Sequence, residues 1–223
     1  MRKLKLPFRV KCGILACGAD MKGAFALAKG SLAYLFDGFG DLSDIDNFAK
    51  YEKAVKAAIR NLNIRPKIVA CDLHPGYFST QFAKEYTQNA RRSMQYEIQH
   101  HEAHIASAII DNDVKGEVVG AAFDGTGYGR DDNIWGGEFF TGTVKNFKRM
   151  GSLGYIAMPG GEQSIKEPWR MAASYLYSAF GDEFLRLKID FIKSMDKRKW
   201  KVLKSMIDKK INSPLTSSMG RFF

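Results

Sequence analysis

The chain has 223 residues and a net charge of +10; 45% of its residues are apolar and 13% aromatic, enough for one domain or two small ones with a true core. That balance excludes a disordered tail or low-complexity linker, and no apolar run nears the roughly 18–20 residues of a membrane-spanning helix. The basic start lacks the apolar stretch of a signal peptide, and Cys12, Cys17 and Cys71 make neither a disulfide framework nor a Cys-x-x-Cys metal clip, so the expected setting is a reducing cytoplasm, without a membrane.

In chain order, residues 10–16, 23–28 and 31–36 read as three short strands joined by turns at Gly18-Ala19-Asp20 and Lys29-Gly30. A helix capped by Ser43 or Asp44 follows, with Phe48, Tyr51, Val55, Ala58, Ile59 and Leu62 along one face. Pro66 ends helical character, and residues 67–71 form a strand of the buried type. Ser79 or Thr80 caps a second helix, 96–99 is a short strand, and 100–112 is a third helix. Residues 117–123 and 135–144 are strands, and beyond Met158-Pro159-Gly160-Gly161 the chain turns helical to its end. The pattern is α/β, a mixed sheet with helices on both faces. It divides into an α/β part, 1–150, and a mainly helical part, 151–223.

Seven of the ten excess positive charges fall between Arg186 and Lys210, where ten Lys/Arg meet three Asp. The same segment carries Leu187, Phe191, Ile192, Trp200, Leu203 and Ile207 at helical spacings, the pattern of amphipathic helices with a solvated basic face. That placement weighs against a nucleic-acid partner, and the charge alone does not establish one.

Chemistry concentrates in Gln99-His100-His101-Glu102-Ala103-His104. On a helix, His100 and His104 stack on one face at i, i+4, close enough to grip one metal ion, while His101 is rotated by about 100°. Asp124 ends the strand about a dozen residues later, where α/β sheets place their ligands, and offers a third, oxygen ligand. Gly125, Gly127 and Gly129 surround Thr126, and such glycines let successive N–H groups face a phosphate; an ordinary hairpin uses the same residues. Pro159-Gly160-Gly161 is a second turn of this kind, or a plain loop before a helix. Asp72 and His74 also emerge at a strand end, although His74 reads equally as a turn residue before Pro75. Arg170, beside Pro168 in a helix's first turn, can hold a phosphate or carboxylate.

Taken together, these blocks resemble the C-terminal part of the HypF-type carbamoyltransferases, which mature hydrogenases. The resemblance runs through Asp72-Leu73-His74-Pro75-Gly76-Tyr77, Gln99 to Ala106, Ala122-Phe123-Asp124-Gly125-Thr126-Gly127, Trp135-Gly136-Gly137-Glu138, Pro159-Gly160-Gly161, Glu167-Pro168-Trp169-Arg170 and Ser213-Pro214-Leu215-Thr216-Ser217-Ser218-Met219-Gly220-Arg221. Cys17 to Phe25 looks like an early family segment, with Asp20 and Gly23 as departures. It implies the actin/hexokinase-like, ribonuclease H-like ATPase architecture shared with the tRNA threonylcarbamoyl-adenosine synthase proteins. The present residues would supply its first lobe and a helical segment, with the second lobe absent. It also implies that carbamoyl phosphate and ATP yield carbamoyl adenylate, whose carbamoyl group passes to the C-terminal cysteine of a HypE-like acceptor and becomes a cyanide ligand. His100, His104 and Asp124 then look like ligands of a divalent metal (iron, zinc or magnesium), with a fourth beyond the last residue. Gly125, Thr126 and Gly127 correspond to the phosphate-facing loop, and Gly160 and Gly161 to a nucleotide-contacting turn. Lys22, His74 and Arg170 lie in shared motifs without an assigned role. The rival readings are a tRNA threonylcarbamoyladenosine-type transferase, against which the Asp-Gly-Thr-Gly loop speaks, and an inactive binding module.

Overall fold

Two β-sheets organise the chain, one in each of two compact units, residues 1–116 and 117–223. The computed structural model describes residues 1–90 and 92–223.

In the first unit the order is β1 (Arg2–Ala16), β2 (Phe25–Phe36), α1 (Ile45–Asn61), β3 (Pro66–Asp72), α2 (Phe78–Asn89), β4 (Met94–Ile98) and α3 (His100–Asp111). The strands lie β2-β1-β3-β4; β1 and β2 are antiparallel, whereas β1/β3 and β3/β4 run parallel. Asp44 caps α1 by accepting from the amides of Asp46 and Asn47, as its position before the apolar face predicts. The helix then lays Tyr51, Val55 and Ala58 on a core of Leu15, Phe25, Leu27, Val69 and Phe82. Burial of each large side chain there contributes about 1.5–3 kcal/mol.

Two expectations change here. Strand β1 begins at Arg2, and Lys29-Gly30 is no turn, because β2 runs through it without a break. The pairing Arg2↔Leu35 to Lys5↔Leu32 shifts register before Val10↔Gly30. Pro7, which has no N–H to give the ladder, lies in that interruption, and Gly30, which pairs with Val10 where the ladder resumes, has φ +63°.

The second unit holds β5 (Val118–Tyr128), β6 (Ile134–Thr143), β7 (Asn146–Ser152), β8 (Ile156–Ala157), α4 (Gln163–Lys166), α5 (Trp169–Phe180), a 3-10 turn (Gly181–Arg186), α6 (Asp190–Ser194), α7 (Lys197–Asp208), β9 (Leu215–Thr216) and α8 (Met219–Phe222). Its sheet runs β5-β6-β9-β8, with β7 also on β6. Trp200 and Leu203 of α7 pack on Ala173, Phe184 and Ile192, which leaves the lysines of α7 on the outer face.

The division therefore falls at Gly116/Glu117 and not near residue 150. The reason is long-range: Thr216 of β9 pairs with Ile134 of β6, so the last residues belong with the strands that start at Val118. No helix among the described residues is long and apolar enough to cross a membrane.

Candidate functional site

The parallel pairing of β3 and β4 sets Asp72 opposite Ile98, and α3 starts two residues after Ile98. Buried Gln99 caps that helix, its side-chain carbonyl accepting from the amides of His101 (2.7 Å) and Glu102 (3.1 Å). With the first turn fixed, the i, i+4 spacing brings the rings of His100 and His104 together, Nε2 to Nε2 at 3.1 Å. On its other side, Nδ1 of His100 lies 2.9 Å from Oδ2 of Asp72, whose side chain is only 6% exposed. His101 turns inward instead, buried, with its Nδ1 3.1 Å from Nε2 of Gln99.

Beside these rings is a cavity of about 320 Å³, walled by Ala16, Gly18, Ala103 and Ser107 as well as by Asp72, His100 and His104. It lies beyond the C-terminal ends of β1 and β3, the usual ligand position of such sheets. The small side chains of its wall keep it open.

Other first-unit candidates serve the backbone. The amide of His74 donates to Oδ1 of Asp72 (2.8 Å), Nδ1 of His74 receives the amide of Gly76 (3.1 Å), and the ring stacks on Tyr77. Asp20, one of the departures from the family pattern, accepts from the amides of Phe78 (2.7 Å) and Ser79 (3.0 Å) and from the Ser79 hydroxyl. It thereby caps α2, whose own N-cap residue Tyr77 supplies no side-chain bond. Lys22 is exposed on the connection from β1 to β2.

In the second unit, Asp124, Gly125, Thr126 and Gly127 form no turn. They lie within β5 at an irregularity between the pairs Phe123↔Gly137 and Gly127↔Trp135. The turn comes later, where the amide of Gly129 donates to the carbonyl of Asn133. None of Gly125, Gly127 and Gly129 has positive φ, and Gly125 and Gly129 serve close approach. A Cβ on Gly125 would stand 2.7 Å from the Arg221 guanidinium, and one on Gly136 would stand 2.5 Å from the carbonyl of Asp124. The Asp124 carboxylate accepts the Gly125 amide at 2.6 Å. Ser218 donates through Oγ toward the carbonyls of Asp124 and Gly125, holding the bulge from the other side.

That hold has a buried base which sequence reading missed. Glu138 is fully buried on β6; its carboxylate takes Nε of Arg149 at 2.6 Å and the hydroxyl of Ser217. Arg149 in turn lies over the Trp135 ring at 3.9 Å and donates to Tyr155. Gly160 (φ +94°) and Gly161 (φ +55°) do form a turn, but their amides already donate to the carbonyls of Asn212 and Met158. Arg170 pairs with Glu167 and lies against Gly160.

Comparison with known proteins gives these sites a setting. Residues 9–111 match the family model described as HypF Kae1-like domain, and residues 120–223 match the model described as carbamoyltransferase, Kae1-like domain, second subdomain. Both models are thus represented in this chain. A carbamoyltransferase HypF of Synechocystis sp. is 33% identical over 99% of this chain and 30% of its own length. A probable carbamoyltransferase HypF of Methanocaldococcus jannaschii is 34% identical over 93% of this chain and 27% of its own. The chain thus spans 27–30% of the length of these relatives. A crystal structure of full-length HypF in the phosphate- and nucleotide-bound form superposes with a TM-score of 0.88 at 36% identity, over 99% of this chain and 34% of that one.

Proposed function

The chain belongs to the HypF carbamoyltransferase family through its Kae1-like domain, and from that premise we propose that it is the portion of a carbamoyltransferase that holds a divalent metal and a nucleotide. The observation that carries the reading is the pair of imidazole Nε2 atoms 3.1 Å apart. Two ring nitrogens at that distance either share one proton or offer two lone pairs to a cation, and the second use is the one a metal needs. An imidazole pair suits zinc or iron and fits magnesium poorly, since magnesium prefers oxygen. Asp124 enters as the third ligand on the strength of its motif.

A bound divalent ion would supply Lewis-acid charge for a phosphate or carbamoyl oxygen. The chain's own residues do the rest of the positioning. His100 and His104 would hold the ion through Nε2, and the small-residue wall leaves room beside them for a reacting group. Gly125, Thr126 and Gly127 would bring backbone close to a phosphate, and Gly160 and Gly161 would offer Cα surface to the nucleoside, their amides and carbonyls being engaged within the protein. The two buried cysteines are poorly suited to be the transfer nucleophile. Burial pushes the Cys17 thiol up to about 12 and raises Cys71 as well, so neither is a thiolate at neutral pH. This suits a reaction in which carbamoyl adenylate, made from carbamoyl phosphate and ATP, is attacked by the cysteine of a HypE-like acceptor.

The test is a chimera in which this chain replaces the equivalent segment of a full-length HypF relative, assayed for carbamoyl transfer to HypE. Transfer that disappears with His100→Ala/His104→Ala is the expected result. Undiminished transfer in that double variant overturns the assignment.

A further inference from the structure

The geometry points to Asp72 as the positioning residue that sets the tautomer of His100, and so keeps Nε2 of that ring open for a metal. The inference rests on the metal reading of the pair and adds a residue that acts on the site through His100. Three observations carry it. The carboxylate is engaged at both oxygens by the protein itself: Oδ1 receives the His74 amide at 2.8 Å, and Oδ2 meets Nδ1 of His100 at 2.9 Å. It is anchored to the sheet and not to a loop, since Asp72 pairs with Ile98, and the neighbouring Leu73 amide donates to the Ile98 carbonyl at 3.0 Å. Its own carbonyl receives the Thr80 hydroxyl at 3.1 Å.

A buried carboxylate can only accept, so the proton of the neutral His100 ring goes to Nδ1, and Nε2, on the side facing His104, keeps its lone pair. Carboxylate–imidazole–metal relays of this kind fix ring orientation and raise ligand basicity, and breaking them lowers metal affinity by roughly 10–100-fold. The competing account is that Asp72 merely closes the turn at His74 through Oδ1.

Asp72→Asn separates the two. The amide oxygen still accepts from His74, but the amide nitrogen, a donor, now faces Nδ1 and drives the proton to Nε2. Ring-nitrogen NMR of the metal-free full chain near pH 8.5, about two units above the ordinary imidazole pKa of ~6.5, reads the tautomer directly. The expected result is Nδ1–H on His100 in the wild type and Nε2–H in Asp72→Asn, with zinc affinity by calorimetry down roughly 10–100-fold and an unchanged melting temperature without metal. Should Asp72→Asn fold poorly, Asp72→Ser keeps a turn acceptor and is expected to show the same loss of affinity. The same tautomer in both proteins, or equal zinc affinity, overturns the proposal. A wild type that takes up no zinc would sink the metal reading instead, and the tautomer comparison then decides the role of Asp72 alone.

Discussion

The two units hold their candidate groups by opposite means. In the first, candidate side chains stand on a helix whose start is locked by buried Gln99 and whose first ring is braced by Asp72 from the neighbouring strand. In the second, the candidate phosphate-facing segment is backbone, and it is shaped by the absence of side chains: Gly125, Gly136, Gly137 and Gly220 bring β5, β6 and the Ser217-Ser218 segment into contact. A side-chain site tolerates exchange at the ring while the scaffold stands. Where backbone packs on backbone, the site and the fold fail together.

The comparison is broken most forcefully at Glu138. Glu138→Ala leaves Arg149 without its buried partner, a loss of about 3–5 kcal/mol for an ion pair taken apart on one side. His104→Ala, at an exposed position of α3, is expected to change stability by no more than about 0.5 kcal/mol. Urea unfolding followed by tryptophan fluorescence reads the first effect, because Trp135, Trp169 and Trp200 all lie in the second unit, and far-UV circular dichroism reads the second effect in the helices of the first. Equal losses from the two substitutions would erase the distinction.

Gly137→Ala is the next step down. Its Cβ would stand 2.4 Å from the Ser217 carbonyl, a backbone atom that cannot swing away. The expected cost is about 1–3 kcal/mol by the same fluorescence assay, the ordinary range for an overpacked site. A neutral result would show that the Ser217 segment shifts freely.

Acid sharpens the contrast at the low end. Burial raises the Asp131 carboxyl, but hydrogen bonds from Tyr155, Asn133 and Trp135 outweigh it and leave the group below its ordinary value. A depressed carboxyl contributes stability that is complete above the unfolded value of ~3.9 and is lost as pH falls through the lower folded one. Asp131→Asn should therefore flatten the acid limb of second-unit stability between about pH 5 and about pH 2. An acid limb identical to wild type would assign that limb to other carboxylates.

Much of this was legible in the sequence where the signal is local. Asp44 as a cap, the apolar face of α1, and the stacking of His100 over His104 follow from periodicity within a few turns. What stayed hidden depends on partners far along the chain. Asp20 caps a helix that starts 58 residues later, and Ser217 meets Glu138 across 79 residues. Strand β1 escaped in its first half because Lys3, Lys5 and Arg9 give it no buried apolar face, and β7 because it contributes an exposed edge. The glycines of β5 misled for a physical reason, since the same residue serves a positive-φ turn and a crowded bulge, and only the neighbours tell the two apart.

The central claim, that His100 and His104 are a metal-holding pair, meets its most direct test in X-ray absorption on the chain loaded with one equivalent of zinc. The account predicts imidazole nitrogen scattering at about 2.0–2.1 Å in the wild type and its loss in His100→Ala/His104→Ala, with circular dichroism unchanged. An identical zinc environment in both proteins would contradict it.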